Sequence, residues 1–263
     1  MAYRSEGTGS IIATPRGAAR PRQSRRYGDG ADDVNAHVAR RTVRLRLSFM
    51  ARGLGALLCL LALAGMPAWA AMPRILALGD SLTAGYGLLP EEAFPTQLRK
   101  KLAAAGVKAE IINGGVSGDT SAGGLARLDW ALADKPGYVL VELGANDALR
   151  GIDPKVTRDN LDKILARIAA SGAKTLLIGF KAPLNWGDDY AAAFDAIYPE
   201  LAAKYHVPLY PFFLDGVVLD PALNQRDGLH PNRQGVRIIV DRIAPYVERL
   251  ISGPDAGSAG SPG

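Results

Sequence analysis

From residue 72 onward, short apolar runs alternate with stretches in which apolar residues recur every three or four positions. The runs Arg74–Gly79, Ala109–Asn113, Tyr138–Leu143, Lys174–Phe180 and Val207–Tyr210 are too short for buried helices. They predict strands. Between them, Thr96–Ala105, Ser121–Ala133, Pro154–Ser171 and Tyr190–Lys204 predict helices, and Pro231–Ile251 predicts a closing one. Asp153 ahead of Pro154 is a start signal, and Ser171-Gly172 is a stop. Strands alternating with helices predict the α/β class: a flavodoxin-like three-layer α/β/α sandwich around a five-stranded parallel sheet. Such a fold collects functional residues at the carboxyl ends of its strands. There is no internal repeat.

The pattern ahead of residue 72 is different. No charged residue falls between Gly53 and Met72, Leu54–Ala64 is continuously apolar or small, and Arg52 stands just upstream. Ala68-Trp69-Ala70 offers the small-x-small site of a signal peptidase. An uncharged stretch of this length just reaches across a bilayer, but its strongly apolar part is as short as a signal peptide's. Export with cleavage near Ala70, to the periplasm or beyond the cell, is therefore expected. Residues 1–49 read as a non-structural basic leader or a mis-assigned start, with translation beginning at Met50. Residues 50–70 read as the signal peptide, 71–251 as the folded domain and 252–263 as a disordered Gly/Ser/Pro tail.

Charge follows the same division. The 263-residue chain carries +5 overall, but residues 1–70 hold 11 Lys and Arg against 4 Asp and Glu, leaving 20 against 22 for the rest. A domain that is net negative lacks the electrostatic footprint of a nucleic-acid binder. The single cysteine, Cys59, lies in the leader, so the processed chain has neither a thiol nucleophile nor a disulfide.

Four polar blocks follow predicted strand ends or close the chain: Gly79-Asp80-Ser81-Leu82, Gly114–Thr120, Gly144-Ala145-Asn146-Asp147 and Asp227-Gly228-Leu229-His230. A serine hydroxyl becomes a competent nucleophile when a positioned imidazole takes its proton. Ser81 stands at a strand-to-helix turn. Of the two histidines past the leader, His206 precedes a strand and is expected at a helix surface. His230 has Asp227 three residues upstream to fix its tautomer, with Gly228 to tighten the turn. Acyl transfer also needs donors for an oxyanion. The candidates are the backbone N–H groups of Ser81 and Gly118 and the side-chain amide of Asn146. The glycine-rich segment 114–124 lacks a P-loop's Gly-Lys-Ser/Thr ending and the dinucleotide-binding spacing.

These blocks resemble the SGNH (GDSL) hydrolase superfamily, with Ser81, Gly118, Asn146 and His230 standing for its four letters. Gly118–Ser121, Gly124–Leu128, Val139–Gly144, Asn146–Gly151, Ala193–Pro199 and Val207–Leu209 are similar to the bacterial periplasmic thioesterase I, lysophospholipase and arylesterase group, a likeness running from Arg74 to Leu250. The resemblance implies a serine esterase with no metal and no cofactor, acting on small acyl esters or lipids, including aryl esters, lysophospholipids and acyl thioesters. It also implies a loop at Lys181–Gly187 beside the acyl pocket, which makes Pro183 and Trp186 substrate-binding candidates, with Tyr86 bordering the site. Ala145 stands where a second glycine is usual. Expected partners are the substrate and transient membrane lipid, with the chain monomeric. A carbohydrate O-deacetylase sharing every catalytic residue and a non-catalytic binding relative are the alternatives.

Overall fold

Ile75–Leu78, Val139–Val141 and Leu176–Ile178 are buried on both faces, as near-continuous apolar runs require of central parallel strands. The computed structural model describes residues 72–253. The segments expected as leader (1–49) and signal peptide (50–70) lie outside them, as does the expected tail (252–263) beyond Gly253; Ser252 is the last residue of the closing helix. Ala70–Gly263 is a compact unit by itself, with the sheet and the core wholly inside it.

The strands are β1 (Arg74–Gly79), β2 (Glu110–Gly115), β3 (Tyr138–Glu142), β4 (Lys174–Ile178) and β5 (Leu209–Tyr210). All pair in parallel, in the order β2-β1-β3-β4-β5. The order reverses between β1 and β3, and the crevice at that switch point is where such sheets bind ligands.

The helices are α1 (Ser81–Ala84), α2 (Phe94–Ala104), α3 (Ser121–Ala126), α4 (Leu128–Ala131), α5 (Ala145–Leu149), α6 (Pro154–Ser171), α7 (Asp188–Asp195), α8 (Ile197–Tyr205) and α9 (Arg233–Ser252), with a 3₁₀ turn at Leu184–Trp186. Helices α2 and α9 pack together, as do α3, α6 and α8, and members of both sets lie against the sheet. The five-stranded parallel α/β fold is the one expected. For α6 the expected ends hold: Asp153 accepts from the Lys155 N–H, and Gly172 closes the helix at φ +81°.

Besides Thr96–Ala105, which runs from Phe94 to Ala104 with Pro95 in its first turn, three helices depart from expectation, each for a local reason. Ser121–Ala133 divides at Arg127, whose side chain is drawn to Asp119 and the Gly79 carbonyl. Tyr190–Lys204 begins earlier and divides at Ala196, because Pro199 has no N–H to continue the ladder. The last helix starts at Arg233 rather than Pro231: the Asn232 side chain caps it by accepting from Gln234 and Gly235, and Pro231 is held in a bridge to Asn224.

Candidate active site

Gly79 ends β1 and Ser81 begins α1, with Asp80 capping the turn by accepting from the Leu82 N–H at 2.9 Å. A Cβ at Gly79 would strike Thr83 and Glu142, so only glycine lets the chain turn here. The Ser81 Oγ lies 2.8 Å from His230 Nε2, and His230 Nδ1 lies 2.7 Å from Asp227 Oδ2. Gly228, at φ +70°, closes the turn so tightly that Asp227 Oδ1 accepts from both Leu229 N–H (2.9 Å) and His230 N–H (3.0 Å). These bonds, that from the His230 backbone foremost, pull the Asp227 carboxyl down to about 2. The ionised carboxylate takes the Nδ1 proton as its partner, which leaves the Nε2 lone pair for the serine hydroxyl. The Tyr86 ring lies 4.7 Å from the His230 ring. His206 ends α8 on the surface, in the left-handed region.

Gly118 follows β2 at φ +86°. Its N–H and that of Ser81 meet no protein acceptor among the described residues, so both are free to receive an oxyanion. Asn146 occupies the second position of α5, which Gly144 caps at φ +119°, and Ala145 stays helical. The Asn146 amide donates to Asp119 O at 2.9 Å and Asp80 Oδ2 at 3.1 Å. Both its hydrogens are thus engaged, and one must be released before Asn146 can serve an oxyanion.

Residues to which the sequence reading assigned no role fasten the blocks together. Arg127 Nε bonds Asp119 Oδ2 at 2.6 Å while its Nη2 bonds Gly79 O at 2.9 Å, joining the second block to the first. Asp147, buried, accepts from Ser121 N–H, Ser121 Oγ and Thr157 Oγ1. Gln225 donates to Tyr86 O at 2.7 Å and to Pro231 O at 3.0 Å, and so ties the histidine turn to the loop after α1.

Behind the nucleophile lie two buried carboxyls. Glu142 Oε2 accepts from Thr83 Oγ1 at 2.5 Å and Asp80 N–H at 3.3 Å, while its Oε1 has no partner among the described residues. Desolvation first, then the neighbouring Asp80, raises the Glu142 pKa well above the carboxylate range. Burial likewise pushes Asp80 up to about 6, against the lowering effect of its bonds from Leu82 and Asn146.

Ser81 and His230 stand in a cleft of about 680 Å³. Tyr86, Phe180, Pro183, Phe212, Leu214 and Val218 contribute to its mostly apolar walls. Of the three substrate-binding candidates, Tyr86 and Pro183 line this cleft and Trp186 does not. The Trp186 indole donates to Ala148 O at 2.8 Å and covers Gly151, anchoring the loop rather than facing the cleft. Phe180 could have been found from its place at the end of a predicted strand. Leu214 and Val218 lie in an aperiodic loop that gave no sign. Among the described residues, no group of three or more His, Cys, Asp or Glu is placed to hold a metal ion.

The sequence matches the GDSL-like lipase/acylhydrolase family over residues 77–238. It is 44% identical over 184 residues to the thioesterase 1/protease 1/lysophospholipase L1 of Escherichia coli K12, covering 70% of this chain and 87% of that one. An arylesterase of Vibrio mimicus is 43% identical over 175 residues, 66% of this chain and 88% of its own. The crystal structure of AlinE4, an SGNH-hydrolase family esterase, superposes with a TM-score of 0.59 at 44% identity, covering 70% of this chain and 99% of that one. The chain therefore belongs to the GDSL-like lipase/acylhydrolase family, and it is a serine esterase of the SGNH type.

Proposed function

We propose that Ser81 is the nucleophile of an esterase acting on short- to medium-chain acyl esters, aryl esters and lysophospholipids, with acyl thioesters as further substrates. The observation that carries this reading is the hydrogen-bonded line Ser81–His230–Asp227 set in an apolar cleft. Ser81 Oγ attacks the acyl carbonyl as His230 Nε2 takes its proton, and Asp227 holds the imidazolium that forms. The oxyanion is received by the Ser81 and Gly118 N–H groups and by the Asn146 amide, freed from one of its present bonds. His230 then protonates the leaving alcohol or thiol. Water, deprotonated by the same imidazole, attacks the acyl-serine, and collapse releases the acid and restores Ser81.

The uncharged stretch 53–72 and the Ala68-Trp69-Ala70 site support export to the periplasm or medium. An exported enzyme would meet lysophospholipids and foreign esters rather than cytosolic thioesters. The small domain fits a monomer. Hydrolysis of p-nitrophenyl esters from C2 to C16 tests the reading. Turnover peaking between C4 and C12, and absent in Ser81→Ala, is expected. Hydrolysis of acetate alone would favour a deacetylase instead.

A further inference from the structure

Five apolar side chains line the cleft and yet stand in solvent: Leu149 after β3, Leu184 in the 3₁₀ turn, Val218 and Leu219 in the loop before α9, and Leu229 beside the histidine. Leu184 is 74% exposed and Leu219 85%. They come from four separate segments and form one rim. Apolar surface gathered in this way marks an interaction site rather than scattered exposure.

Leu219 shows that the rim is built. It holds φ +65°, and it is the one apolar member of the three non-glycine residues with positive φ among those described. Asparagine or glycine would fit that backbone with less strain. The turn is pinned from beneath: the buried Asn224 amide donates to Val217 O at 2.7 Å and Asp220 O at 2.8 Å. A strained backbone fixed by a buried amide thus holds a leucine out into water.

Two cations stand at the margin of the rim, with the exposed Asp220 following Leu219 in the chain. Lys181 lines the cleft, its Nζ 5.6 Å from the Phe212 ring centre. Arg150, next to Leu149, rests its guanidinium on Gly118 O at 2.9 Å. Neither has a carboxylate within salt-bridge distance among the described residues. Buried Asp80 is the one acid in the cleft wall. Apolar side chains with two unpaired cations beside them match the boundary of a lipid aggregate, where acyl chains lie beneath phosphate headgroups.

We propose that this rim docks the enzyme on the surface of aggregated phospholipid, so that an acyl chain passes from the aggregate into the cleft. The inference rests on the esterase reading and deepens it by naming the surface that presents the substrate. A second copy of the chain seated here would cover the cleft above Ser81 and block it, whereas a lipid surface supplies it.

The test uses the unit beginning at Ala71 and carrying Ser81→Ala, so that lipid is bound without turnover. It is co-sedimented with phosphatidylcholine vesicles, with and without phosphatidylglycerol. Binding is expected, strengthened by the anionic lipid and weakened about tenfold by Leu219→Asn, as the loss of one leucine from an apolar contact implies. Because asparagine suits the left-handed backbone, the variant should melt no lower than its parent. The proposal is overturned if the parent leaves vesicles unbound, or if Leu219→Asn binds them equally well. A dimer in sedimentation that Leu219→Asn dissolves would overturn it in favour of a second copy. Hydrolysis of p-nitrophenyl butyrate by the chain with Ser81 intact reports the esterase reading separately, so either can fail without the other.

Discussion

Asp80 and Glu142 put two buried carboxyls directly behind the serine that the site activates, and they make its stability sensitive to pH. A carboxyl whose folded pKa is raised binds more protons in the native state than in the unfolded chain, so stability falls as pH rises. For Asp80 the window runs from its ordinary 3.8 to about 6, and for Glu142 the fall extends higher. Glu142→Gln keeps the shape and removes one charge from the pair. Urea unfolding at pH 5 and pH 8 should show a smaller loss between the two for the variant than for the parent. Asp227 works in the opposite sense, since its depressed carboxyl contributes stability that disappears as pH falls from 3.8 towards 2. Its larger effect is kinetic. His230→Ala should cost roughly 10⁶-fold in kcat and Asp227→Asn roughly 10⁴-fold, because the second leaves the imidazole in place but poorly oriented. Equal losses would mean that Asp227 does more than orient. Asn146→Ala should cost roughly 10²- to 10³-fold, the usual worth of one oxyanion donor.

At the scale of elements, short turns hold the chemistry and long helices carry the frame. Gly172 and Gly144 both hold positive φ, yet they differ in what surrounds them. A Cβ at Gly172 meets nothing within 4 Å, while one at Gly144 collides with the Tyr198 hydroxyl, which is bonded to Leu143 O at 3.0 Å. Gly172→Ala should therefore cost about 1 to 2 kcal/mol in urea unfolding, from backbone strain alone, with ester hydrolysis unaffected. Gly144→Ala should cost more and also slow turnover, because it displaces the start of α5 and with it Asn146. Pro154–Ser171 could be read end to end because Asp153, Pro154 and Gly172 are signals local to the chain. The divisions at Arg127 and Ala196 were harder to see. At Arg127 the reason is a pull from Asp119 and the Gly79 carbonyl on neighbouring turns, which local periodicity does not register.

At the scale of the molecule, the sheet order places the carboxyl ends of β1, β2 and β3 side by side, so blocks far apart in sequence meet over one crevice. The cleft is completed from the other half of the chain, by Phe180, Phe212 and Leu214. Its volume should set the chain length accepted. Leu214→Trp fills part of the cleft and should move the optimum in the p-nitrophenyl ester series to shorter acyl groups. An unchanged optimum would place the acyl chain elsewhere.

The sequence by itself determined the parallel α/β frame, because strand and helix periodicities and caps are properties of neighbouring residues. It also named Ser81, Gly118, Asn146, Asp227 and His230, because the four blocks occur together and in the order of the SGNH hydrolases, although each alone could be an ordinary turn or cap. Tertiary structure alone decided three things. It turned Trp186 away from the cleft onto Ala148 and Gly151, engaged both hydrogens of the Asn146 amide, and gathered the apolar rim from four separate segments. Each depends on which distant surfaces are brought into contact, and a one-dimensional pattern of polarity carries no record of that.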